Sequence, residues 1–377
     1  MKRVTFSAIL LAAVIGITGC KKNNNETGPE AATFIDHGFI PAAVDASQNI
    51  STFQTAFYND NHVFVATSDG LWKNDLTTKK WSRAGLSGKK ITAIYKHPTI
   101  AGKFFAGVKS DNTPTLKTLY ISDDAGITWN AGNNLIFDDI NKRYEDYECF
   151  AVRPDHPNQI YANLGGGTSM AVSTDGGVNW VRSNKETASV FGYACDIAFL
   201  PKNPDVIYQG AESPLDNAWL GKYDINSSDP TALNNFQKIV DMSVWDNRRP
   251  KELQINLFTG NDIYVGQEGA LSKVSGSTNK FIFKSDGKNF PYSYIYAIWV
   301  DPTNTQHLLF GGVQNGGDDM NLYETFDEGK TIKRFTDKMG FISPNIREIV
   351  NTNTDPAIII NDDGANKVKL YLYKSIK

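Results

Sequence analysis

Residues Ser122–Trp129 have the sequence SDDAGITW, and the same pattern returns at Ser173–Trp180 as STDGGVNW and at Thr325–Ile332 as TFDEGKTI. All three stretches fit S/T-x-D-x-G-x-T/N followed by a large apolar residue. Their aspartates are 51 and 152 residues apart, which is one and three multiples of a period near 50. A repeat of this length predicts a chain built from successive copies of one small structural unit.

Each copy has the residues that a tight hairpin between two strands needs. Glycine supplies a backbone conformation with positive φ, and the aspartate carboxylate and the Ser or Thr hydroxyl accept backbone N–H groups of the turn. The final apolar residue is expected to pack between neighbouring units. A calcium loop is the alternative for D-x-D-x-G, but no glutamate stands where an EF-hand has its bidentate ligand. We therefore expect neither a metal ion nor another cofactor.

A second pattern recurs within the same period. An alternating apolar strand ends at a proline, a polar turn follows, and a second short strand comes next. The copies contain Pro98, Pro154, Pro201 and Pro302, which are 56, 47 and 101 residues apart. These spacings are one, one and two periods, and a period of about 50 lies in the range of a four-stranded propeller blade.

The S-x-D-x-G-x-T-W stretches resemble the Asp boxes, or BNR repeats, of the sialidase-like and sortilin-like β-propellers. The resemblance rests on three boxes that are in phase with the proline repeat. It implies an all-β chain that forms a single β-propeller, with each box between the third and fourth strands of a blade. It also implies that the boxes lie on the rim away from the ligand face, so we do not expect them to bind a ligand.

The number of periods predicts seven blades. Residues Ile50–Ala84 and Leu253–Asp286 each contain the strands of one further blade, and Asn345–Lys377 contains three strands and then stops. The segment Thr33–His37 can supply the missing fourth strand, which would join the two ends of the chain and hide the sheet edges. Six and eight blades are the alternatives.

Residues 1–19 resemble the signal peptide of a bacterial lipoprotein, with a basic start, an apolar run from Val4 to Ile17 and small residues before Cys20. In such proteins the cysteine carries diacylglycerol and begins the mature chain. Residues 20–32 are polar and predict a flexible tether, and residues 33–377 predict the propeller. The resemblance implies export and a lipid anchor in the outer membrane, with periplasmic and surface-facing display both open. An ordinary secretory signal is the alternative.

The charge and the cysteines narrow the possible partners and covalent links. The formal net charge is −3, the pI is near 6.0, and no basic run is present, so we expect no nucleic-acid partner. Besides Cys20 the chain has Cys149 and Cys195. An oxidising compartment would allow a disulfide, but their positions relative to the repeat prolines point them to opposite strand faces. We expect two buried free thiols.

If the boxes mark one end of the ring, a ligand would meet the loops at the other end. The longest of these loops are Asn134–Glu148 and Asp241–Glu252. The candidate ligand-binding residues on these and the shorter loops are Trp245, Arg248, Arg249, Glu212, Glu268, Arg143, Tyr144 and Gln314. Aromatic rings, carboxylates and guanidinium groups suit a carbohydrate. Hydrated surface charges have the same composition, and that interpretation stays open for each residue.

Three functions are compatible with a lone anchored propeller. We favour a binding module for a polysaccharide or oligosaccharide at the cell surface. The second is a glycoside hydrolase, which needs two carboxylates about 5 to 10 Å apart, and Glu212 with Glu268 is a candidate pair. The arginine triad and the Arg-Ile/Leu-Pro motif of sialidases have no counterpart, which weighs against an enzyme and leaves catalytic residues unassigned. The third is an assembly or stability factor that binds a surface protein.

Overall fold

The computed structural model describes residues 32–42, 54–111, 113, 115–133, 135–139, 143–165, 167–185, 193–212, 219–241, 254–258, 262–288, 290, 293–314, 321–335, 341, 344–362 and 367–375. Within these ranges the chain is all-β, and none of them contains a helix long and apolar enough to cross a membrane. Seven sheets of four or five strands follow one another along the chain, and each is one blade of a propeller. The predicted single, seven-bladed β-propeller is confirmed.

The first strand of each blade lies at the centre of the ring, because these strands contact one another in a closed cycle. The N-terminal strand and the first three blades, with one extra hairpin, are β1 (Thr33–Phe39); blade 1, β2 (Ala56–Asn59), β3 (His62–Thr67), β4 (Gly70–Asp75) and β5 (Trp81–Gly85); blade 2, β6 (Ile91–Lys96), β7 (Phe104–Val108), β8 (Leu119–Ser122) and β9 (Asn130–Ala131); the hairpin β10 (Phe137–Asp138) and β11 (Arg143–Tyr144); and blade 3, β12 (Tyr147–Val152), β13 (Ile160–Leu164), β14 (Met170–Ser173) and β15 (Val181–Arg182).

The other four blades have the same antiparallel order, and blade 4 gains a short parallel strand on its outer edge. Their strands are β16 (Asn184–Lys185), β17 (Tyr193–Leu200), β18 (Asn203–Glu212), β19 (Trp219–Ile225) and β20 (Ala232–Asp241) in blade 4; β21 (Gln254–Phe258), β22 (Asp262–Gln267), β23 (Ala270–Ser275) and β24 (Thr278–Lys284) in blade 5; β25 (Ser293–Asp301), β26 (Asn304–Gln314), β27 (Leu322–Thr325) and β28 (Lys333–Phe335) in blade 6; and β29 (Pro344–Val350), β30 (Ala357–Asp362) and β31 (Lys367–Lys374) in blade 7.

The hydrophobic core lies between the blades. Val63 and Val65 of blade 1 pack with Ile359 of blade 7, while Phe105 of blade 2 packs with Phe150 of blade 3. Each sheet is therefore covered on both faces. A strand buried on both faces has an apolar run rather than strict alternation, which accounts for sequences such as FFAGV in β7.

Strand β1 closes the ring as the fourth strand of blade 7. It pairs antiparallel with β31, with Phe34 opposite Tyr373. The Phe34 ring packs edge-on against Phe335 of blade 6, with 5.4 Å between the ring centroids. His37 Nδ1 lies 2.9 Å from Asn74 Oδ1 of blade 1. The predicted role of Thr33–His37 is confirmed, and the strand contacts three blades.

Removing Ala32–Gly38 is expected to lower the free energy of unfolding by more than about 3 kcal/mol, because it exposes the edge of β31 and removes the partly buried Phe34 ring from its aromatic neighbours. Thermal and urea unfolding followed by circular dichroism would measure the loss. The control is a chain that starts at Ala32 and keeps all of β1. Equal midpoints for the two chains would show that blade 7 does not depend on this strand.

The three Asp boxes form the hairpins β8–β9, β14–β15 and β27–β28, as the sequence predicts. In the first, Ser122 Oγ accepts the Gly126 N–H at 2.8 Å, and the Asp124 carboxylate accepts the Thr128 N–H at 2.8 Å. Gly126 has φ of 85°. Hydrogen bonds from Thr128 lower the pKa of Asp124 to about 2. The same bonds recur in the other two boxes.

A backbone hydrogen bond joins each of the first two boxes to another turn of the same blade. The Ala125 N–H donates to the Gly102 carbonyl at 2.8 Å, and the Gly176 N–H donates to the Asn158 carbonyl at 2.9 Å. Both carbonyls belong to turns between a first and a second strand, so these turns and the boxes lie at one end of the ring. We call this the lower end. The connections between second and third strands, and from one blade to the next, lie at the upper end.

The apolar residues of the boxes pack against the preceding blade, as predicted. The Trp129 indole N–H donates to the Ala84 carbonyl of blade 1 at 2.9 Å. Trp180 is fully buried and meets Phe105 of blade 2 edge-on, with 6.5 Å between ring centroids. The boxes therefore have a structural role in joining blades.

Candidate functional site

The hairpin β10–β11 projects from the upper end in the connection from blade 2 to blade 3. Phe137 pairs with Tyr144, and Asp138 pairs with Arg143. The rings of Phe137 and Tyr144 meet edge-on, with 5.2 Å between centroids. Lys117 Nζ donates to the Tyr144 hydroxyl at 2.6 Å. The structure thus brings together the predicted residues Arg143 and Tyr144 and adds Phe137, whose exposed fraction is 36%.

Two carboxyl groups lie where this connection enters β12. Asp146 accepts the Ser110 N–H at 2.6 Å and forms an ion pair of 2.6 Å with Lys109 Nζ. The Glu148 side chain is only 7% exposed, and no described residue hydrogen-bonds its carboxyl group. Gly165 leaves the space that this group occupies, because a Cβ atom there would lie 2.9 Å from Glu148 Oε1.

The environment of Glu148 favours its protonated form. Burial raises the pKa of Glu148 to about 7, and the negative charges of Asp146 and Glu145 add to the increase while Lys109 opposes it. A carboxyl group that changes its protonation state near neutral pH can donate a hydrogen bond to a ligand or act as a general acid. Perturbed groups of this kind often mark functional sites.

We predict that Glu148→Gln makes the protein more stable at pH 8 and changes little at pH 5. A carboxyl group with a raised pKa is protonated in the folded state at pH 5, and above pH 7 its buried charge costs up to about 3 kcal/mol. Urea unfolding at both pH values measures the difference.

The matched control is Glu145→Gln, which removes a neighbouring acid that forms an ion pair with Arg182 at 3.0 Å. It is expected to show no gain at pH 8. An equal midpoint for wild type and Glu148→Gln at pH 8 would mean that the Glu148 carboxylate is solvated or paired.

The other sequence-predicted residues lie apart from the hairpin or outside the described side chains. Glu268 occupies the turn between β22 and β23 at the upper end of blade 5 and forms an isolated β-bridge with Tyr294. Glu212 and Gln314 end β18 and β26 at the upper end, and their side chains are outside the described set. Trp245, Arg248, Arg249 and the lipidation candidate Cys20 lie outside the described residues.

Sequence reasoning did not select Glu148 itself. The signal was present, since Glu148 is the one charged residue in the strand sequence YECFAV. A glutamate in an apolar inner strand indicates either a satisfied ion pair or a buried carboxyl group with a function, and only the structure separates the two.

Sequence reasoning also missed a cavity of about 400 Å³ at the lower end, between the first strands of blades 2, 3 and 4. The repeat prolines Pro98, Pro154 and Pro201 line it, and Asp196 contributes a carboxylate. Its residues come from segments that are far apart in the sequence, and the spacing of the prolines indicates only the number of blades.

A third polar cluster contains His, Asp, Glu and Ser side chains, which are common in catalytic sites, but its contacts indicate a structural role. His307 lies between two carboxylates, with 3.1 Å to Asp301 Oδ2 and 3.1 Å to Glu324 Oε1. Ser375 Oγ donates to Glu324 Oε1 at 2.9 Å. The His307 ring is 2% exposed and stacks on Phe326. Because the groups are buried and satisfy one another, they tie blade 6 to the end of β31.

Cys149 is a free and buried thiol, as predicted, and burial raises its pKa. The Cys195 side chain is outside the described set, so its state stays a prediction. No group of three or more His, Cys, Asp and Glu side chains within the described ranges could hold a metal ion.

The fold and its hairpins define a seven-bladed β-propeller that carries BNR/Asp-box repeats. A family model described as BNR/Asp-box repeat matches residues 120–131, which contain the whole first box. A comparison with curated proteins finds no matching sequence.

Several solved propellers have similar structures. One, described as YCF48 bound to D1 peptide, is 11% identical, with a TM-score of 0.58 over 92% of this chain and 96% of that chain. The extracellular domain of the putative one component system BT4673 from Bacteroides thetaiotaomicron is 15% identical, with a TM-score of 0.60 over 92% of this chain and 41% of that one. An auxiliary nutrient binding protein from Bacteroides thetaiotaomicron is 11% identical, with a TM-score of 0.51 over 86% of this chain and 70% of that one. At these identities the likeness shows the fold alone.

Proposed function

We propose that the chain is an exported propeller, anchored to the outer membrane through Cys20, that binds a glycan at the upper end of its ring. The observation that carries this proposal is the hairpin β10–β11, which presents Phe137 and Tyr144 beside Arg143 and Lys117. Aromatic faces stack on the C–H surfaces of sugar rings, and the two cations can donate hydrogen bonds to hydroxyl or carboxylate groups.

The similar propellers from Bacteroides thetaiotaomicron support a binding role. One is described as an auxiliary nutrient binding protein and another as an extracellular domain. A capture protein outside the cell needs a ligand face that meets solvent, and the upper end of the ring has its connecting loops there. The same rigid ring holds the hairpin in place, which lowers the entropy lost when a ligand binds.

Phe137→Ala and Tyr144→Ala are each expected to weaken binding to the glycan found by an array screen of residues 33–377 by about tenfold, or ~1.4 kcal/mol, because each removes a stacking surface. Isothermal titration calorimetry measures the dissociation constant.

Tyr144→Phe keeps the ring and is expected to retain most of the affinity. Ile127→Ala is the control at the lower end, where Ile127 is 79% exposed, and it should bind as wild type does. Unchanged binding in both alanine variants of the hairpin would place the glycan elsewhere on the molecule.

For the anchor, Cys20→Ser is expected to release the protein from the membrane fraction, because the serine hydroxyl cannot take the thioether-linked lipid. Membrane fractionation with metabolic labelling by a palmitate analogue would follow both the location and the acyl group. Lys21→Ser, one residue further on, should stay labelled and bound. Membrane retention of the Cys20→Ser protein would rule out the lipoprotein interpretation.

A glycoside hydrolase is the second candidate, and the raised pKa of Glu148 favours it. A general acid must hold its proton near neutral pH, and Glu148 with Asp146 provides two carboxyl groups at the start of one strand. Reducing ends released from the bound glycan, and lost in Glu148→Gln, would establish this activity. If the protein binds the glycan and releases no reducing ends, the result favours the binding module.

A protein ligand is the third candidate. The similar propeller YCF48 is described as bound to D1 peptide, which shows that a propeller with this fold can hold a peptide. An assembly factor would bind a surface protein and show no affinity on a glycan array. Crosslinking from position 137 or 144 in intact cells would then capture a protein in place of a sugar.

A further inference from the structure

A second cavity at the lower end lies between blades 4 and 5, and we call it the interblade cavity. Its walls are apolar where the two sheets pack together, with Leu200 from blade 4 and Ile263 and Val274 from blade 5. Its volume of about 250 Å³ is slightly below the usual range for a drug-sized ligand. The cavity is therefore large enough for a small organic molecule or for one side chain of a protein.

One row of side chains crosses blade 4 and lines this cavity. Tyr208 of β18 pairs with Lys222 of β19, and Lys222 pairs with Gln237 of β20, so the three residues share one face of the sheet. The Tyr208 side chain is buried, and Lys222 is half-buried. The wall of the cavity thus has a lysine beside a buried aromatic ring.

Blade 5 contains the same row, and there the lysine has acidic partners. Tyr264 pairs with Lys273, and Lys273 pairs with Lys280. Glu328, from the Asp box of blade 6, lies 2.8 Å from Lys273 Nζ and 2.7 Å from Lys280 Nζ. Asp262 of blade 5 lies 3.0 Å from Lys273 Nζ. Burial alone would lower the pKa of Lys273, but its hydrogen bonds to Glu328 and Asp262 raise the pKa above its ordinary value.

The neighbour of blade 4 supplies no acid at the matching place. In blade 6 the third and fourth strands are joined by residues 326–332, which include Glu328, whereas in blade 5 they are joined only by Gly276 and Ser277. This short turn leaves open space, because a Cβ atom at Gly276 would have no atom of the described chain within 4 Å. The missing carboxylate and the cavity therefore occur at the same position of the repeat.

The charges around the interblade cavity favour an anion. Its lining includes two lysines, Lys222 and Lys238, and no acidic side chain among the described residues. The Lys222 ammonium group forms no hydrogen bond or ion pair within the described part of the chain. Asp224 shares the face of Lys222 two residues further along β19, but its carboxylate accepts a hydrogen bond from Asn235 at 3.0 Å. A half-buried cation beside apolar walls attracts an opposite charge more strongly than a cation in bulk water does.

We propose that the interblade cavity is a second binding site, for a carboxylate carried on a short apolar stem. The stem lies against the apolar walls, and the carboxylate pairs with the Lys222 ammonium group as Glu328 pairs with Lys273 one blade further on. Burial of the stem provides affinity, and the charge-assisted hydrogen bond provides selectivity. The site lies at the opposite end of the ring from the hairpin β10–β11, and it does not depend on the proposed glycan site.

Two sources can supply this chemistry, a free short-chain carboxylate and an aspartate or glutamate side chain of a protein. Butyrate and pentanoate test the first source, and N-acetyl-glutamate α-methylamide and its aspartate analogue test the second. Butanol and butylammonium have the stem of butyrate without its negative charge, and N-acetyl-glutamine methylamide is the uncharged form of the glutamate probe. The full chain, kept in a non-ionic detergent, is titrated with each compound at pH 7.5 and followed by ligand-observed NMR.

We expect at least one carboxylate from either set to bind, and we expect no binding of butanol, butylammonium or the glutamine compound. Lys222→Met should weaken carboxylate binding at least tenfold, because methionine keeps an apolar side chain and removes the charge. Ser277→Glu should also abolish binding, because it adds a competing carboxylate to the exposed turn that lines the cavity. Lys330→Met is the control, since Lys330 is an exposed lysine in the third Asp box at the same end of the ring, and it should bind as wild type does.

Three results would overturn the proposal. These are no binding of any carboxylate, equal binding of butanol and butyrate, and carboxylate binding of wild-type strength in folded Lys222→Met. Thermal midpoints of all variants identify any loss that comes from unfolding. If Lys222→Met does not fold, wild-type binding in Ser277→Glu overturns the proposal in its place.

Discussion

The closed ring depends on one constraint: both faces of every sheet must be covered by neighbouring sheets. The first and last blades must therefore pack against each other. Blade 1 and blade 7 meet this condition because β1 crosses from the start of the chain to pair with β31. Without that pairing, nothing would hold blade 1 against blade 7 in the arrangement that packs Val63 against Ile359. The lower cavity depends on the arrangement of blades around the ring, since its lining residues come from blades 2, 3 and 4.

Closing the ring creates a second problem at its centre, where the first strands present an edge with no neighbouring strand. Side chains satisfy some of the backbone N–H groups on this edge. Gln54 Oε1 accepts the Phe150 N–H, and the Asp196 carboxylate accepts the Ile197 N–H. Irregular pairing contributes as well, because the first strands of five blades shift register near their upper ends. The positions that the strand register skips at these β-bulges are Thr92, Glu148, Cys195, Tyr296 and Arg347. A bulge turns a side chain away from strict alternation, so Glu148 escapes the apolar packing of Tyr147 and Phe150 without leaving the interior.

Local features of this fold could be predicted from the sequence, and features that join distant segments could not. An Asp box closes within eight residues, so Ser122–Trp129 contains nearly all the atoms that determine its hairpin. The closing strand was predictable because the last period lacked one strand. The bulge at Glu148 and the contact of Gln54 with Phe150 depend on the register of strands in different blades. No spacing in the sequence encodes that register. For this reason the lower cavity and the buried carboxyl group of Glu148 can be recognised only in the three-dimensional structure.

The direction of β1 connects the fold to the proposed anchor. Thr33 pairs with Lys374, which precedes Ser375 beside the lower-end residue His307, so the chain enters the ring at the lower end. If Cys20 carries the proposed lipid, residues 20–32 would hold that end about 20 Å from the membrane when flexible. The hairpin β10–β11 would then face away from the bilayer, where a polymer can approach from solvent, while the lower cavity would face the membrane side.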